Sequence, residues 1–314
     1  MDKVTFVKNF ALCKEVSIAG KFIYDGMRDL NCACNYGDID NIFGFLYKIS
    51  VGIERLQKIA YILLKNPNEQ DYAEIEKEII THSHTLLQEK INARTKIKLN
   101  EHQNSFLHLL TNFYNSSRYD RYNLATSINN EQELFIKYIE ERMQINIEMD
   151  DFFVPEISKN IKKFLGKVIL GIAQTLYNTI YNQASAIGLY TYEVASDSKG
   201  MKVFLNSAEK SSLQEQMIDE HIAFKEFLIF LLNTKKSSNL YAFIKDIPAL
   251  NIDIAMIQEY LSEFVKCEVP QQLIDEIEYL YKEDNINIKE RLEMLECIGN
   301  TSFYFDDLEE FAEN

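Results

Sequence analysis

The sequence has 314 residues, a formal net charge of −15 and an apolar fraction of 46%. This length and apolar content are typical of a globular chain with a sizeable core. The acidic balance argues against non-specific binding to DNA, where Lys and Arg contacts to phosphate supply most of the affinity. The apolar runs are shorter than the roughly 18 residues of a membrane span, and the first residues lack a signal-peptide pattern. We therefore expect a cytoplasmic protein without a membrane partner.

Turn-forming residues are scarce in this chain, which contains ten glycines and four prolines. Hairpin turns depend on such residues, whereas Lys, Glu, Gln, Leu and Ile recur here at helical spacing. We therefore predict an all-α fold. The hydrophobic pattern predicts helices over residues 4–30, 42–65, 70–81, 86–93, 101–122, 132–145, 157–192, 213–233, 239–245, 254–266, 271–282 and 288–298.

An acidic stretch that ends in Pro155 separates two helical halves. We place a domain boundary there, with a helical bundle over residues 1–148 and a second all-helical domain over residues 149–314. Five cysteines are an odd number in a large chain, so we expect reduced thiols rather than a disulfide framework. Cys32 and Cys34 form a close pair without a second pair or a histidine cluster nearby, so we expect no metal site and no cofactor.

The helix predicted over residues 101–122 carries an unusual polar face. On a helix, the following residues fall within about 40° of one line: Asn104, His108, Thr111, Asn115, Arg118 and Tyr122. Phe106, Leu109, Leu110 and Phe113 lie on the opposite side. Because His, Asn and Arg side chains bind anions and move protons, this face is a candidate binding site.

Arg118 and Arg121 lie one turn apart at the end of this helix. Two adjacent guanidinium groups repel each other unless an anion or a carboxylate joins them, so either a bound phosphate or an Asp or Glu of a packed helix is expected between them. His108 is about 15 Å from Arg118 along the helix axis. The two residues can therefore share a reacting atom only across a symmetric dimer.

The His82-Ser83-His84 segment resembles a helix end followed by a new helix start. Residues two apart on a helix point in different directions, so both histidines cannot face one metal ion there. We expect Thr81, Ser83 or Thr85 to cap the new helix, with one histidine packed and the other solvated.

The N-terminal half resembles the HEPN superfamily of small helical bundles. The resemblance rests on a long apolar helix at residues 52–64, on the Thr81-His-Ser-His-Thr-Leu-Leu87 segment, and on a final bundle helix that ends in Arg118-Tyr-Asp-Arg-Tyr122. Ribonucleases of this superfamily carry an Arg-x(4–6)-His motif, and here no histidine follows Arg121 until His221. The resemblance implies dimerisation through the bundle and a role in RNA cleavage, nucleotide binding or prokaryotic defence against phage.

Our leading hypothesis is an HEPN-like protein that binds RNA or a nucleotide, either as a metal-independent endoribonuclease or as an inactive relative in a defence or toxin system. Arg118 or Arg121 would stabilise phosphate charge, and His108 or His84 would be the general acid or base. Asn104, Asn115 and Tyr122 would complete an anion or nucleotide site. The alternative is a non-catalytic helical scaffold or homodimeric interaction protein whose arginines pair with carboxylates.

Overall fold

The computed structural model describes residues 2–115, 130–149, 154–195, 198–205, 213–234, 238–265, 268–283 and 286–300. Its helices are α1 (Lys3–Phe6), α2 (Leu12–Cys32), α3 (Ile39–Lys65), α4 (Tyr72–Glu78), α5 (His84–Asn92), α6 (Glu101–Asn115), α7 (Asn130–Met143), α8 (Lys159–Ala186), α9 (Lys199–Phe204), α10 (Leu213–Asn233), α11 (Asn239–Asp246), α12 (Ile257–Val265), α13 (Gln271–Glu283) and α14 (Ile288–Leu295). A π-helical turn joins α1 to α2, and a 3₁₀ turn precedes α12. The predicted all-α class is confirmed, since the described residues contain helices and one isolated bridge but no strand.

The chain divides into two compact units, residues 1–219 and 220–314. In the first unit α3 is the central helix, and it packs against α2, α5, α6, α7 and α8. Its buried side chains include Phe45, Ile49, Ile53 and Leu56, which recur at helical spacing and lie in the main core. Asn66, in the left-handed conformation with φ of 45°, ends this helix.

Two buried lysines close the C-terminal ends of neighbouring helices. Nζ of Lys162 donates to the carbonyl oxygens of Asn31 and Ala33 at the end of α2, at 2.9 and 2.6 Å. Nζ of Lys8 donates to Oδ1 of Asn66 and to the carbonyl oxygen of Pro67 just beyond α3, at 2.7 and 2.6 Å. A cation is favourable at a helix C-terminus, where carbonyl groups lack intrahelical partners, although burial lowers the pKa of both lysines.

The segment at Pro155 is part of the first unit, which corrects the predicted boundary at 148/149. Asn35 and Glu156 form an antiparallel bridge, and the backbone of Tyr36 donates to the carbonyl oxygen of Pro155 at 3.2 Å. The following helix, α8, then packs against α3 and contributes Ile169, Ile172 and Ala173 to the core. Acidic composition and a proline are typical of a linker. Here, however, the helices before and after the segment contribute side chains to the same core.

The structure also contains the short helix α9, where the hydrophobic pattern of the sequence predicts only a turn over residues 195–199. Gly20 of α2 approaches it so closely that a Cβ atom there would lie 2.5 Å from Cα of Gly200. This contact brings Phe204 against Tyr177 of α8, with stacked rings 4.7 Å apart. The first unit therefore continues well beyond the expected boundary.

The second unit contains the C-terminal part of α10 and the short helices α11 to α14. The helix bounds predicted for this part agree closely with the observed ones. No helix among the described residues is long and apolar enough to cross a membrane.

Candidate functional site

A cleft of about 380 Å³ opens on one face of α3 in the first unit. The α3 residues that line it share the three- and four-residue spacing of a single helix face: Val51, Glu54, Arg55, Lys58, Ile59 and Ile62. The other walls are Leu12 and Glu15 of α2, Ile79 and His82 of the α4–α5 connection, and Tyr114 of α6. The cleft therefore makes one face of α3 accessible, whereas the other side chains of this helix are mostly buried.

Glu54 is the charged centre of this cleft, with a side chain only 11% exposed. Nζ of Lys58 lies 2.7 Å from its Oε1, and Nδ1 of His82 lies 3.1 Å from its Oε2. A carboxylate accepts hydrogen bonds, so Nδ1 of His82 is the donor in this contact.

His82 is held in one orientation although its side chain is 55% exposed. In addition to the bond to Glu54, its ring centroid lies 4.9 Å from that of Tyr114. A carboxylate that orients an imidazole is the arrangement found in catalytic bases and in metal-bound histidines. Among the described residues, however, no group of three or more His, Cys, Asp or Glu side chains could hold a metal ion. The second ring nitrogen, Nε2, can form a hydrogen bond with a ligand.

The opposite rim of the cleft is an ion pair between Arg55 and Glu15, each 36% exposed. The guanidinium also lies over the ring of Phe22, 5.8 Å from its centroid. Nε of Arg55 is buried and has no hydrogen-bond partner within the described part of the chain. The rim therefore has more hydrogen-bond donors than its carboxylates use.

His84, predicted as an acid or base, is a core residue. Its Nε2 lies 2.9 Å from the carbonyl oxygen of Ser50, and its Nδ1 has no partner among the described residues. Burial lowers the pKa of His84 below its ordinary value, so the ring is neutral at physiological pH. A fully buried imidazole with its Nε2 already bonded cannot reach a substrate at the surface, so a catalytic role for His84 does not fit this structure.

The local prediction for this segment is confirmed. Ser83 caps α5 by accepting from the backbone N–H of Leu86 at 3.2 Å, and α4 ends at Glu78. One histidine is packed, and the other is half-exposed.

His108 lies exposed on α6 and lines a different, shallower cleft of about 300 Å³, which also includes Lys137 and Glu141 of α7. Tyr138 forms one wall, and its hydroxyl donates to the carbonyl oxygen of His102 at 3.1 Å. Burial raises the pKa of Tyr138, so the hydroxyl remains a neutral donor. The structure thus places His84 in the core and His108 on a surface cleft.

The other predicted anion-binding residues have separate positions. The side-chain amide of Asn104 donates to the carbonyl oxygens of Leu99 and Asn100, both at 3.0 Å, so it stabilises the start of α6. Asn115 is exposed at the last described residue of α6. Arg118, Arg121 and Tyr122 lie outside the described residues.

Glu54, Arg55 and Lys58 were not selected by sequence reasoning. The sequence does contain a signal for these residues, because the three charged side chains interrupt the apolar pattern of the helix predicted over residues 42–65. Their partners, His82 and Glu15, are distant in sequence, so the pattern alone could not show which groups they meet.

The second unit differs from the first in how few of its apolar side chains are covered. Among its described residues only Tyr260, Leu273, Leu280 and Cys297 are buried. Large apolar side chains of α10 are exposed on every face: Ile222, Phe224, Phe227, Ile229, Phe230 and Leu232. A groove of about 420 Å³ between α10 and α12 is lined by apolar residues, with Lys225, Gln258 and Ser262 beside them.

Comparisons with protein-family models, with curated proteins and with solved structures find no match to this chain.

Proposed function

We propose that the chain is a non-catalytic helical interaction protein whose second unit binds another protein through apolar helix surfaces. The observation that carries this proposal is the exposure of large apolar side chains around the whole circumference of α10. A helix that is apolar on all sides is normally buried, and large exposed apolar patches mark protein interaction sites.

The partner we propose is a helical segment with one apolar face and flanking basic residues. The groove between α10 and α12 offers Phe224, Leu228, Leu261 and Val265 to the apolar face of such a segment. Acidic residues outnumber Lys and Arg across residues 220–300, so basic flanks would be attracted to this unit and a second copy of it would be repelled. This mode of recognition is the packing of an amphipathic helix into a groove.

The test uses the full chain and a fluorescent synthetic helix built from Leu on one face and Lys on the other. Fluorescence anisotropy should show saturable binding, and binding should weaken at least tenfold for a peptide in which Glu replaces Lys. Phe224→Glu should weaken binding of the Leu–Lys peptide by a similar factor, because it places a charge in the apolar groove.

The matched control is Ile80→Glu, which alters an apolar residue that is 79% exposed in the first unit. This variant should bind the peptide as the unmodified chain does. The proposal would be contradicted if the chain bound the Leu–Lys and Leu–Glu peptides equally. It would also be contradicted if Phe224→Glu and Ile80→Glu bound the Leu–Lys peptide equally. Sedimentation velocity completes the test, because self-association that Phe224→Glu abolishes would identify a second copy as the occupant instead.

A second proposal is the HEPN-like binding of RNA or a nucleotide, with or without cleavage. The exposed His108, in a cleft that also contains Lys137, supports it. The test is retention of a labelled single-stranded RNA at low salt, with Arg118→Ala and Arg121→Ala expected to weaken it. Absence of both retention and cleavage would remove this proposal and leave the first one unaffected.

A further inference from the structure

The cleft on α3 is independent of the surfaces that carry the proposed function, and its chemistry points to a small ligand. Its lining includes apolar side chains, among them Leu12, Ile59 and Ile62, together with a few charged groups. Pockets with an apolar lining and a few convergent polar groups are typical of small-molecule sites.

The balance of donors and acceptors at the rim defines the ligand's polar group. Glu54 is occupied by two donors, Lys58 and His82. Arg55 has five N–H groups in a fixed fork. Among the described residues its ion pair with Glu15 engages Nη1, and the side chain is 36% exposed, so terminal N–H groups remain for a ligand although Nε itself is buried. The unused hydrogen-bonding capacity is therefore that of a donor, and it is matched by an acceptor-rich group.

The pair between Arg55 and Glu15 can be opened at little cost. Both side chains are about one-third exposed, and ion pairs of this kind contribute little to stability because solvent screens them. A ligand oxyanion can replace Glu15 on the guanidinium, and Glu15 can then turn to solvent. Glu54 cannot be displaced in this way, because its carboxylate is mostly buried.

We infer that this cleft binds a small organic oxyanion, a carboxylate or a phosphate monoester, that carries an apolar ring. Arg55 binds the oxyanion in place of Glu15, and the ring lies against the apolar side chains of α2 and α3 that line the cleft. His82 contributes a hydrogen-bonding nitrogen at the mouth, in the orientation that Glu54 fixes.

The experiment titrates the full chain with 3-phenylpropionate, phenyl phosphate and neutral 3-phenylpropanol, followed by saturation-transfer NMR and calorimetry. At least one anion should bind ten times more tightly than 3-phenylpropanol, and the comparison of the two anions distinguishes the carboxylate from the phosphate source. The inference would be overturned if the chain bound 3-phenylpropanol as tightly as it binds both anions.

Two variants of the rim should shift anion affinity in opposite directions. Arg55→Met should weaken binding at least tenfold, whereas Lys96→Met, an exposed lysine away from the cleft, should leave it unchanged. Glu15→Gln removes the competing carboxylate and should tighten binding several-fold, a gain that a poorly folded variant cannot show. Unchanged anion affinity in both Glu15→Gln and Arg55→Met would refute the proposed replacement of Glu15 by the ligand oxyanion.

Discussion

Replacing His84 by Gln removes a titratable ring from the core while keeping a donor for the carbonyl oxygen of Ser50. In the folded chain burial lowers the pKa of His84, and nearby His82 and Lys58 lower it further, whereas the bond to Ser50 and the charge of Glu54 act in the opposite direction. Protonation would also place an N–H at Nδ1, which has no acceptor among the described residues. The unfolded chain, in contrast, binds this proton near pH 6.5.

The sign of the effect follows from proton linkage. Below pH 6.5 the unfolded state binds one more proton than the folded state, so the free energy of unfolding falls as the pH falls towards the folded-state pKa. The loss is at most about 1.4 kcal/mol for each pH unit. Between pH 7.5 and 5.5 the unmodified chain should therefore lose more stability than the His84→Gln variant, by up to about 1.4 kcal/mol.

The assay is urea denaturation followed by helical circular dichroism at pH 7.5, 6.5 and 5.5. Carboxylates titrate in both proteins, so their contribution cancels in the difference. His82→Gln is the control for the loss of a histidine, because His82 is half-exposed rather than buried. Parallel profiles for the unmodified chain and His84→Gln would show that the buried ring does not control stability in this range.

Three further substitutions test the packing of the first unit, each by the free energy of unfolding from urea denaturation. Lys162→Met should cost roughly 1–3 kcal/mol, because two carbonyl groups at the end of α2 lose their donor. The adjacent Lys163 is 46% exposed, so Lys163→Met should change the free energy of unfolding little. Equal losses in the two variants would contradict the capping role of Lys162. Gly52→Ala should cost roughly 1–3 kcal/mol, because the new Cβ would lie 2.7 Å from Cγ1 of Ile23; a neutral result would mean that α2 and α3 can separate freely. Gln144→Gly should stabilise the protein by roughly 0.5–1 kcal/mol, since Gln144 is exposed with φ of 54°, and a loss would refute the backbone argument.

Local patterns predicted the helices well because helix formation depends on spacing that the sequence displays directly. The turn-forming segment Asn66-Pro67-Asn68 predicts a helix stop, and α3 ends there. Ser83, one of the predicted caps, caps α5. The sequence also offers Asp38 or Asp40 as a cap of α3; Asp38 does occupy the N-cap position, but its side chain bonds elsewhere. Its carboxylate accepts from the backbone N–H groups of Cys34 and Asn35 in the preceding loop rather than from the first turn of α3.

The candidate site was less predictable, because it depends on contacts between residues far apart in the chain. Glu54 and His82 are 28 residues apart, and no local pattern states that the α4–α5 connection returns to α3. The domain boundary was wrong for the same reason, since the packing of α8 on α3 is a long-range contact. The HEPN-like resemblance and the roles of Arg118 and Arg121 stay predictions.

The place of α8 in the core has a consequence for how this protein forms in the cell. During synthesis α3 emerges long before α8 and α9, and at roughly 5–20 residues per second the delay is on the order of ten seconds. Throughout that interval the apolar surface of α3 that packs against α8 in the folded protein lacks this partner. Until α8 has left the ribosome, the nascent chain therefore exposes apolar surface that the folded protein buries.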